Sequence, residues 1–241
     1  MTVLIPLQSA TGLVPPSDTL AVPRYLEQVY WWAYVHPKAV HLFEREWLVN
    51  TLLFGNYARL RDAALDTMGQ RIEGRVLQVA CVYGNLTPRL LGRLASDARL
   101  DIVDILPIQL QNLGAKLPAD DRVHLMPGDS SCLALPDASV DQALLFFLLH
   151  EQPDAVRRAT LAEVMRVVRP GGRIVIVDYH RPLRWHPLRP LMRAVFRRLE
   201  PYAIDLWRND IEHYLPDGLR PQAATTRHWF GGLYQQLTWT R

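Results

Sequence analysis

Between Arg75 and Asp178, short apolar runs alternate with segments of helical period, and this alternation constrains the fold more than any other feature. The runs Arg75–Cys81, Leu100–Asp104, Val123–Met126, Val140–Phe147 and Arg173–Asp178 read as strands. Leu86–Leu94, Pro107–Leu117 and Ala155–Val168 read as the helices between them. Alternation of this kind predicts a parallel sheet with helices on both faces, and right-handed crossovers fix its winding. The tail "TTRHWFGGLYQQLTWT" differs: two β-prone runs flank Gly231-Gly232 and read as a hairpin. The expected fold is α/β, a seven-stranded Rossmann-type sheet finished by an antiparallel C-terminal hairpin.

Upstream of the sheet the pattern is helical. "PRYLEQVYWWAYVH" reads as a helix ended by His36-Pro37, because the residue before proline disfavours helix. "PKAVHLFEREWLVNTLLF" follows, with Pro37 suited to a first turn. After the break at Gly55-Asn56, "YARLRDAALDTM" makes a third helix. Residues 1–22 carry Pro6, Pro15 and Pro16 and read as extended. The expected organisation is therefore an extended segment and helical cap over residues 1–70, then a ligand-binding α/β domain over residues 71–241.

Two segments leave a choice open. In the helix expected at about 187–200, Leu188, Leu191, Met192, Val195, Phe196 and Leu199 share one face and Arg189, Arg193 and Arg197 another, and no acid occurs from Arg181 to Arg198. Such a helix either lies on a membrane surface or turns its apolar face to the core. Tyr30, Trp31, Trp32 and Tyr34 crowd the first helix, where consecutive residues stand ~100° apart, so they cannot all face one core. Some of these rings cover a site or meet lipid, or all belong to the packing of a cap on the sheet.

Composition excludes several classes. The net charge of +3 and pI ≈ 9.0 are too mild to argue nucleic-acid binding. The two cysteines fit a reducing cytosol without a disulfide framework. The N-terminal apolar run has no basic region ahead of it, which predicts no secretory leader. The longest apolar run, Ala143 to Leu149, falls far short of the ~18 residues of a membrane span.

Candidate functional residues gather where strands give way to loops. In "VLQVACVYGNLTP" a strand, a tight loop and a helix follow in the order that holds nucleotide-type cofactors on open α/β sheets. Such loops usually carry an acid and two or three glycines. Here Gln78 stands at the acid's place, Ala80 and Val82 stand at glycine places, and Gly84 remains. A β-branched valine resists positive φ and close approach of the backbone, so the loop runs differently or its ligand sits differently. Tyr83 at the tip either meets a ligand or packs over the loop. Asp104 (with Ile105) and Asp129 (with Ser130) lie at carboxyl ends of strands, the ligand-binding edge of such sheets; their alternative is a solvated loop acid or cap. His150 follows the fourth strand, and is either a proton shuttle or a loop histidine bonded to backbone. His150, Glu151, Asp178 and His180 carry donors that suit a metal, but no spacing matches a metal motif.

Three stretches carry a resemblance. "LDIVDILPIQL", "MPGDSSCLALPDASVDQALL" and "VMRVVRPGGRIVIVDYHRP" make residues 75–182 resemble class I S-adenosylmethionine (SAM) methyltransferases of the quinone-biosynthesis type. The resemblance puts Asp104 at the ribose hydroxyls, Asp129 at the adenine amino group, and Arg169-Pro170-Gly171-Gly172 at the turn into the fifth strand. "YWWAYVHPKAVHLFEREWLVN", "VACVYGN" and "FGGLYQ" extend it over the chain and make it similar to the RquA-type rhodoquinone biosynthesis proteins. That similarity implies conversion of ubiquinone to rhodoquinone, a ring methoxy group being replaced by an amino group. It further implies SAM as nitrogen donor, a manganese ion (Mn2+) of unassigned ligands, and a cytoplasmic location peripheral to the inner membrane. The cofactor set is then Gln78, Ala80, Val82, Tyr83, Gly84, Asp104, Ile105, Asp129 and Ser130, with Tyr83 and His150 catalytic. Gln78 has a distinct expected role: a neutral amide does not stabilise the cofactor's ammonium as a carboxylate would, so the amine keeps its lone pair. Two alternatives stand beside this reading. One is methyl transfer to a quinone or small aromatic, which Gln78, Ala80 and Val82 argue against. The other is a non-catalytic quinone- or SAM-binding partner, which Asp104 and Asp129 argue against.

Overall fold

The computed structural model of the chain describes residues 22–29 and 45–241. Its strands are β1 (Arg75–Val79), β2 (Arg99–Asp104), β3 (Val123–Pro127), β4 (Val140–Phe146), β5 (Val168–Tyr179), β6 (Ala223–Trp229) and β7 (Tyr234–Thr240). They form one sheet in the order β3-β2-β1-β4-β5-β7-β6. β1 to β5 pair in parallel, while β7 runs antiparallel to both β5 and β6. The seven-stranded Rossmann-type sheet with its C-terminal hairpin is as expected, the hairpin turning through Gly231 and Gly232, both at positive φ.

The strand side chains explain why the sheet is covered twice. Along β1, Val76 faces one core and Leu77 and Val79 the other; along β4, Leu144 and Phe146 oppose Ala143 and Leu145. Each fully buried side chain of this size contributes about 1.5–3 kcal/mol, so helices must lie on both faces. On the first face sit α3 (Tyr57–Met68), α4 (Leu86–Leu91) and Met192 and Phe196 of α7 (Arg189–Arg198). On the second sits α6 (Asp154–Val167), through Leu161, Val164 and Met165. Two further helices, α1 (Arg24–Val29) and α2 (Glu46–Leu52), precede α3, and α5 (Pro107–Lys116) follows β2.

Several boundaries differ from expectation for local reasons. β1 stops at Val79 rather than Cys81, because Ala80 takes φ +72°. The Arg169–Gly172 segment is not a turn into the fifth strand. Val168 already pairs with Val140 and Arg173 with Gln142, so the residues between loop out of a continuous β5. A Cβ on Gly172 would stand 2.8 Å from the Asp141 carbonyl, which explains glycine there. Of the two first expected helices only Arg24–Val29 and Glu46–Leu52 fall in the described residues. Tyr30, Trp31, Trp32 and Tyr34 lie outside them. The apolar face of α7 divides: Met192 and Phe196 are buried, Leu191 and Leu199 exposed.

Candidate active site

The chain order reverses between β1 and β4, which opens a crevice at the carboxyl ends of the parallel strands. A cavity of about 550 Å³ occupies it. Its floor is the ends of β1, β2, β4 and β5, and its walls come from α1, α2 and α7. Ala80, Val82, Tyr83, Asp104, Ile105, Asp129, Ser130 and His150 all line it. Gln78 and Gly84 do not.

The loop after β1 is held from both sides. Ala80 adopts the left-handed φ that glycine would supply, at a cost of about 1–2 kcal/mol. The only other residue of this loop at positive φ is Gly84, so Val82 is spared that strain. Gln78 is fully buried and spent on the loop itself: its Nε2 donates to the Ala80 carbonyl at 3.0 Å and its Oε1 accepts from the Thr87 hydroxyl at 3.0 Å. The expectation that Gln78 meets a ligand is thereby corrected, since both ends of the amide face inward. Gly84 is likewise a structural position. A Cβ there would lie 2.6 Å from the Tyr57 hydroxyl. That hydroxyl accepts the N–H groups of Asn85 and Leu86, each at 3.0 Å, and donates to the Tyr83 carbonyl at 3.1 Å. It thus caps α4, whose own N-cap residue, Asn85, makes no side-chain bond to the helix. Tyr83 reaches the cavity with its hydroxyl accepting from Gln109 Nε2 at 2.8 Å.

Asp104 bridges two elements. One oxygen accepts the Cys81 N–H at 2.7 Å and the other the Leu106 N–H at 2.8 Å. Burial pushes its pKa up to about 6 in spite of these bonds. Asp129 turns one oxygen to the N–H and hydroxyl of Ser131. Ser130 joins a chain of side chains: its hydroxyl pairs with Thr160 at 2.9 Å and accepts from Gln152 Nε2 at 3.0 Å. Gln152 Oε1, also on the cavity wall, is buried without a partner among the described residues.

His150 is the most constrained polar group. Its Nδ1 lies 2.9 Å from Asp178 Oδ1, and Asp178 is wholly buried. Its Nε2 lies 3.7 Å from Glu151 Oε1 and 4.0 Å from Glu200 Oε2, both residues of the cavity wall. Burial pushes its pKa down, but the charge and hydrogen bond of Asp178, then Glu200 and Glu151, push it further up, to about 9. These three carboxylates favour the imidazolium form of His150. Phe147, at φ +54°, and Tyr179 flank its ring edge-on. The turn that carries it is fixed by Arg157, a buried guanidinium that donates to the carbonyls of Leu149, Gln152 and Tyr202 and covers the Tyr214 ring. Sequence reading missed Arg157, Gln152 and Glu200; nothing in their local pattern sets them apart from ordinary surface residues.

Among the described residues no three His, Cys, Asp or Glu side chains are grouped to hold a metal ion. His180 lies in a separate cleft, its ring 4.3 Å from that of His228. The manganese expected from the resemblance finds no ligand set here.

Comparison with known proteins agrees with this geometry. The family described as "Methyltransferase domain" matches residues 76–172. The demethylmenaquinone methyltransferase of Beutenbergia cavernae is 31% identical over 206 residues, covering 79% of this chain and 80% of that protein. A ubiquinone/menaquinone biosynthesis C-methyltransferase of Syntrophotalea carbinolica is 29% identical over 199 residues, 78% of each chain. With its counterpart from Dinoroseobacter shibae, at 30% identity, the match spans 53% of that protein. Among solved structures, a SAM-dependent methyltransferase from Aquifex aeolicus superposes with TM-score 0.54 at 18% identity, covering 85% of this chain and 97% of that one. Human N-acetylserotonin methyltransferase gives 0.62 at 15% identity over 92% of this chain and 61% of that one. At such identities the structural likeness is one of fold.

Proposed function

This chain belongs to the class I SAM-dependent methyltransferase family, and from that premise we propose that it is a SAM-dependent enzyme acting on the ring of a lipid quinone, with replacement of a ring methoxy by an amino group as the reaction. The observation that carries the second part is the setting of His150, whose Nδ1 meets buried Asp178 at 2.9 Å and whose Nε2 faces Glu151 and Glu200. Methyl transfer to a ring carbon needs an electron-rich ring, and hence a base that removes a ring proton. Attack by an amine needs an electron-poor ring, and hence an acid that polarises a quinone oxygen. A histidine held protonated by Asp178, with Nε2 turned toward the cavity wall, is equipped for the second task.

The residues present fit SAM. Asp104 accepts the Cys81 and Leu106 N–H groups and a side-chain bond from Cys81, and a carboxylate with about four lone-pair sites keeps capacity for a ribose hydroxyl. The orphan acceptor of Gln152, beside Asp129 and Ser130, suits an exocyclic amino group. When bound, SAM supplies either an electrophilic methyl group or, through its α-amine, a nucleophilic nitrogen. Ile105 and Val82 contribute apolar wall, and Tyr83 and Ala80 shape the floor near the loop. No step is assigned to manganese.

Substrate class rests on the rest of the cavity. Val49, Leu52, Leu53 and Phe54, from α2 and just after it, and Met192, Val195 and Leu199, from α7 and just after it, line the same cavity as His150 with apolar side chains. Leu52 and Leu199 are exposed, as an exit for a hydrocarbon tail would be. Relatives named for ubiquinone and menaquinone biosynthesis support the same class. Leu183, Trp185 (90% exposed) and Leu191 lie in the arginine-rich stretch from Arg181 to Arg198 and Leu199 directly follows it, which supports contact with an anionic bilayer. No described helix is long and apolar enough to cross a membrane. The relatives' names favour a second reading, ring C-methylation. Incubation of the protein with SAM and, in parallel, a short-tailed ubiquinone and its analogue lacking the ring methyl, followed by mass spectrometry, separates them: methoxy exchanged for amino supports the proposal, and a methyl gained by the open ring carbon of the analogue supports the alternative.

A further inference from the structure

Glu200 lies two residues beyond α7, in the cavity wall. Its Oε2 is buried and has no hydrogen-bond partner among the described residues. Six arginines precede it between Arg181 and Arg198, yet its ion-pair contact is with His150, at 4.0 Å, too long for a hydrogen bond. A bare carboxyl oxygen in a cavity wall is costly, because its water has been removed and nothing has replaced it. Substrate is the natural partner, since the same wall carries His150 Nε2 and the flanking rings of Phe147 and Tyr179.

We propose that Glu200 is a second catalytic residue, which exchanges a proton with the leaving group while His150 holds a quinone oxygen. The proposal rests on the ring-amination reading above. As the new carbon–nitrogen bond forms, the ring's electron pair moves to the conjugated quinone oxygen, where the imidazolium of His150 donates a hydrogen bond. The pair then returns and the carbon–oxygen bond to the methoxy group breaks. Glu200 in its protonated form delivers its proton to that oxygen, so methanol departs. Its carboxylate then takes the proton that the newly bonded nitrogen must lose. Glu200 ends as it began, and this substitution needs neither an oxidant nor a reductant; it leaves the nitrogen bonded both to the ring and to the donor's α-carbon, and cleavage of the latter bond, which frees the amino group, is a separate step in which Glu200 has no assigned part.

The surroundings suit both halves of that exchange. Burial raises the Glu200 pKa, the charge of His150 lowers it and that of Asp178 raises it. The titratable groups around it are His150 and Glu151 from the turn after β4, Asp178 and Tyr179 from β5, and Tyr234 from β7. Burial and Asp178 thus favour the protonated form while His150 favours the carboxylate, the opposed pulls that suit a group that gives and then takes a proton.

The test compares Glu200→Gln with the wild-type protein on two short-tailed quinones, one with the natural methoxy group and one with chlorine in its place. Chloride leaves without a proton. The expected result is a loss of ring amination of roughly 100-fold or more on the methoxy substrate, with SAM affinity by calorimetry unchanged. On the chloro substrate the deficit should shrink at least about tenfold, which a merely damaged fold would not do. Equal deficits on both substrates, or a Glu200→Gln rate within threefold of wild type, would overturn the proposal while leaving ring amination standing. A wild-type protein that aminates neither quinone and instead methylates an analogue with an open ring carbon overturns the amination reading and Glu200's role together.

Discussion

Replacing Tyr57 by phenylalanine isolates a single hydroxyl on which the cofactor loop hangs. The ring keeps its place in the core and its edge-on contact with Phe146 at 6.2 Å. What disappears is one oxygen that accepts two N–H groups, of Asn85 and Leu86, and donates to the Tyr83 carbonyl. Tyr57 is fully buried, so water does not simply replace it. Each buried donor left unsatisfied costs about 1–3 kcal/mol, and partial relaxation of the loop brings the expected total to roughly 2–4 kcal/mol. For a chain of this size each kcal/mol lowers Tm by roughly 2–4 °C. Thermal unfolding should therefore show a decrease on the order of 4–16 °C. Because the same loop sets Val82 and Tyr83 in the cavity wall, SAM affinity measured by calorimetry should weaken as well. A variant that melts within ~2 °C of wild type and binds SAM unchanged would refute the idea that this hydroxyl holds the loop.

Three other outcomes are expected. Asp104→Asn should weaken SAM binding about tenfold or more, the size of a lost hydrogen bond to a charged group; calorimetry on the folded variant checks it. Asp178→Asn should alter stability against pH in a defined direction. His150 has a folded pKa of about 9, above its ordinary 6.5, so its contribution is fully present below about 6.5 and fades as pH rises through about 9. Without Asp178 that alkaline loss, on the order of 3 kcal/mol in wild type, should largely vanish from denaturant unfolding curves measured between pH 6 and 10. Changing Arg189, Arg193 and Arg197 together to glutamate should abolish binding to anionic vesicles in co-sedimentation at low salt and leave the thermal transition intact; wild-type protein that ignores such vesicles speaks against membrane contact.

The sheet was legible because its signal is redundant. Five apolar strands and the helices between them each obey the expected period, and the Gly231-Gly232 hairpin announces itself in two residues. Asp104, Asp129 and His150 were legible for a related reason: strand ends in a parallel sheet fall at one edge, so a polar residue just after an apolar run is placed by topology alone. Side-chain direction was not legible. Gln78 stands at a position that suggests a ligand, yet its amide is consumed by Ala80 and Thr87. Gly84 reads as a cofactor glycine, yet it makes room for a tyrosine hydroxyl from a helix 27 residues upstream in sequence. Glu200 and Arg157 were invisible because their importance arises from tertiary burial: one closes a basic helix and the other sits among ordinary polar residues of α6. The expectation that Gln78 governs the charge of the cofactor amine does not survive its inward placement, and the case for amination passes to His150.

That case is tested most directly by the fate of nitrogen. SAM labelled with ¹⁵N at its α-amine, incubated with the protein and a short-tailed ubiquinone, should yield a quinone in which one methoxy group has become a ¹⁵N-labelled amino group, with methanol released in equal amount. Ubiquinone recovered unchanged with the label still in the donor, while an analogue with an open ring carbon gains a methyl group and all label is recovered in S-adenosylhomocysteine, would contradict the account.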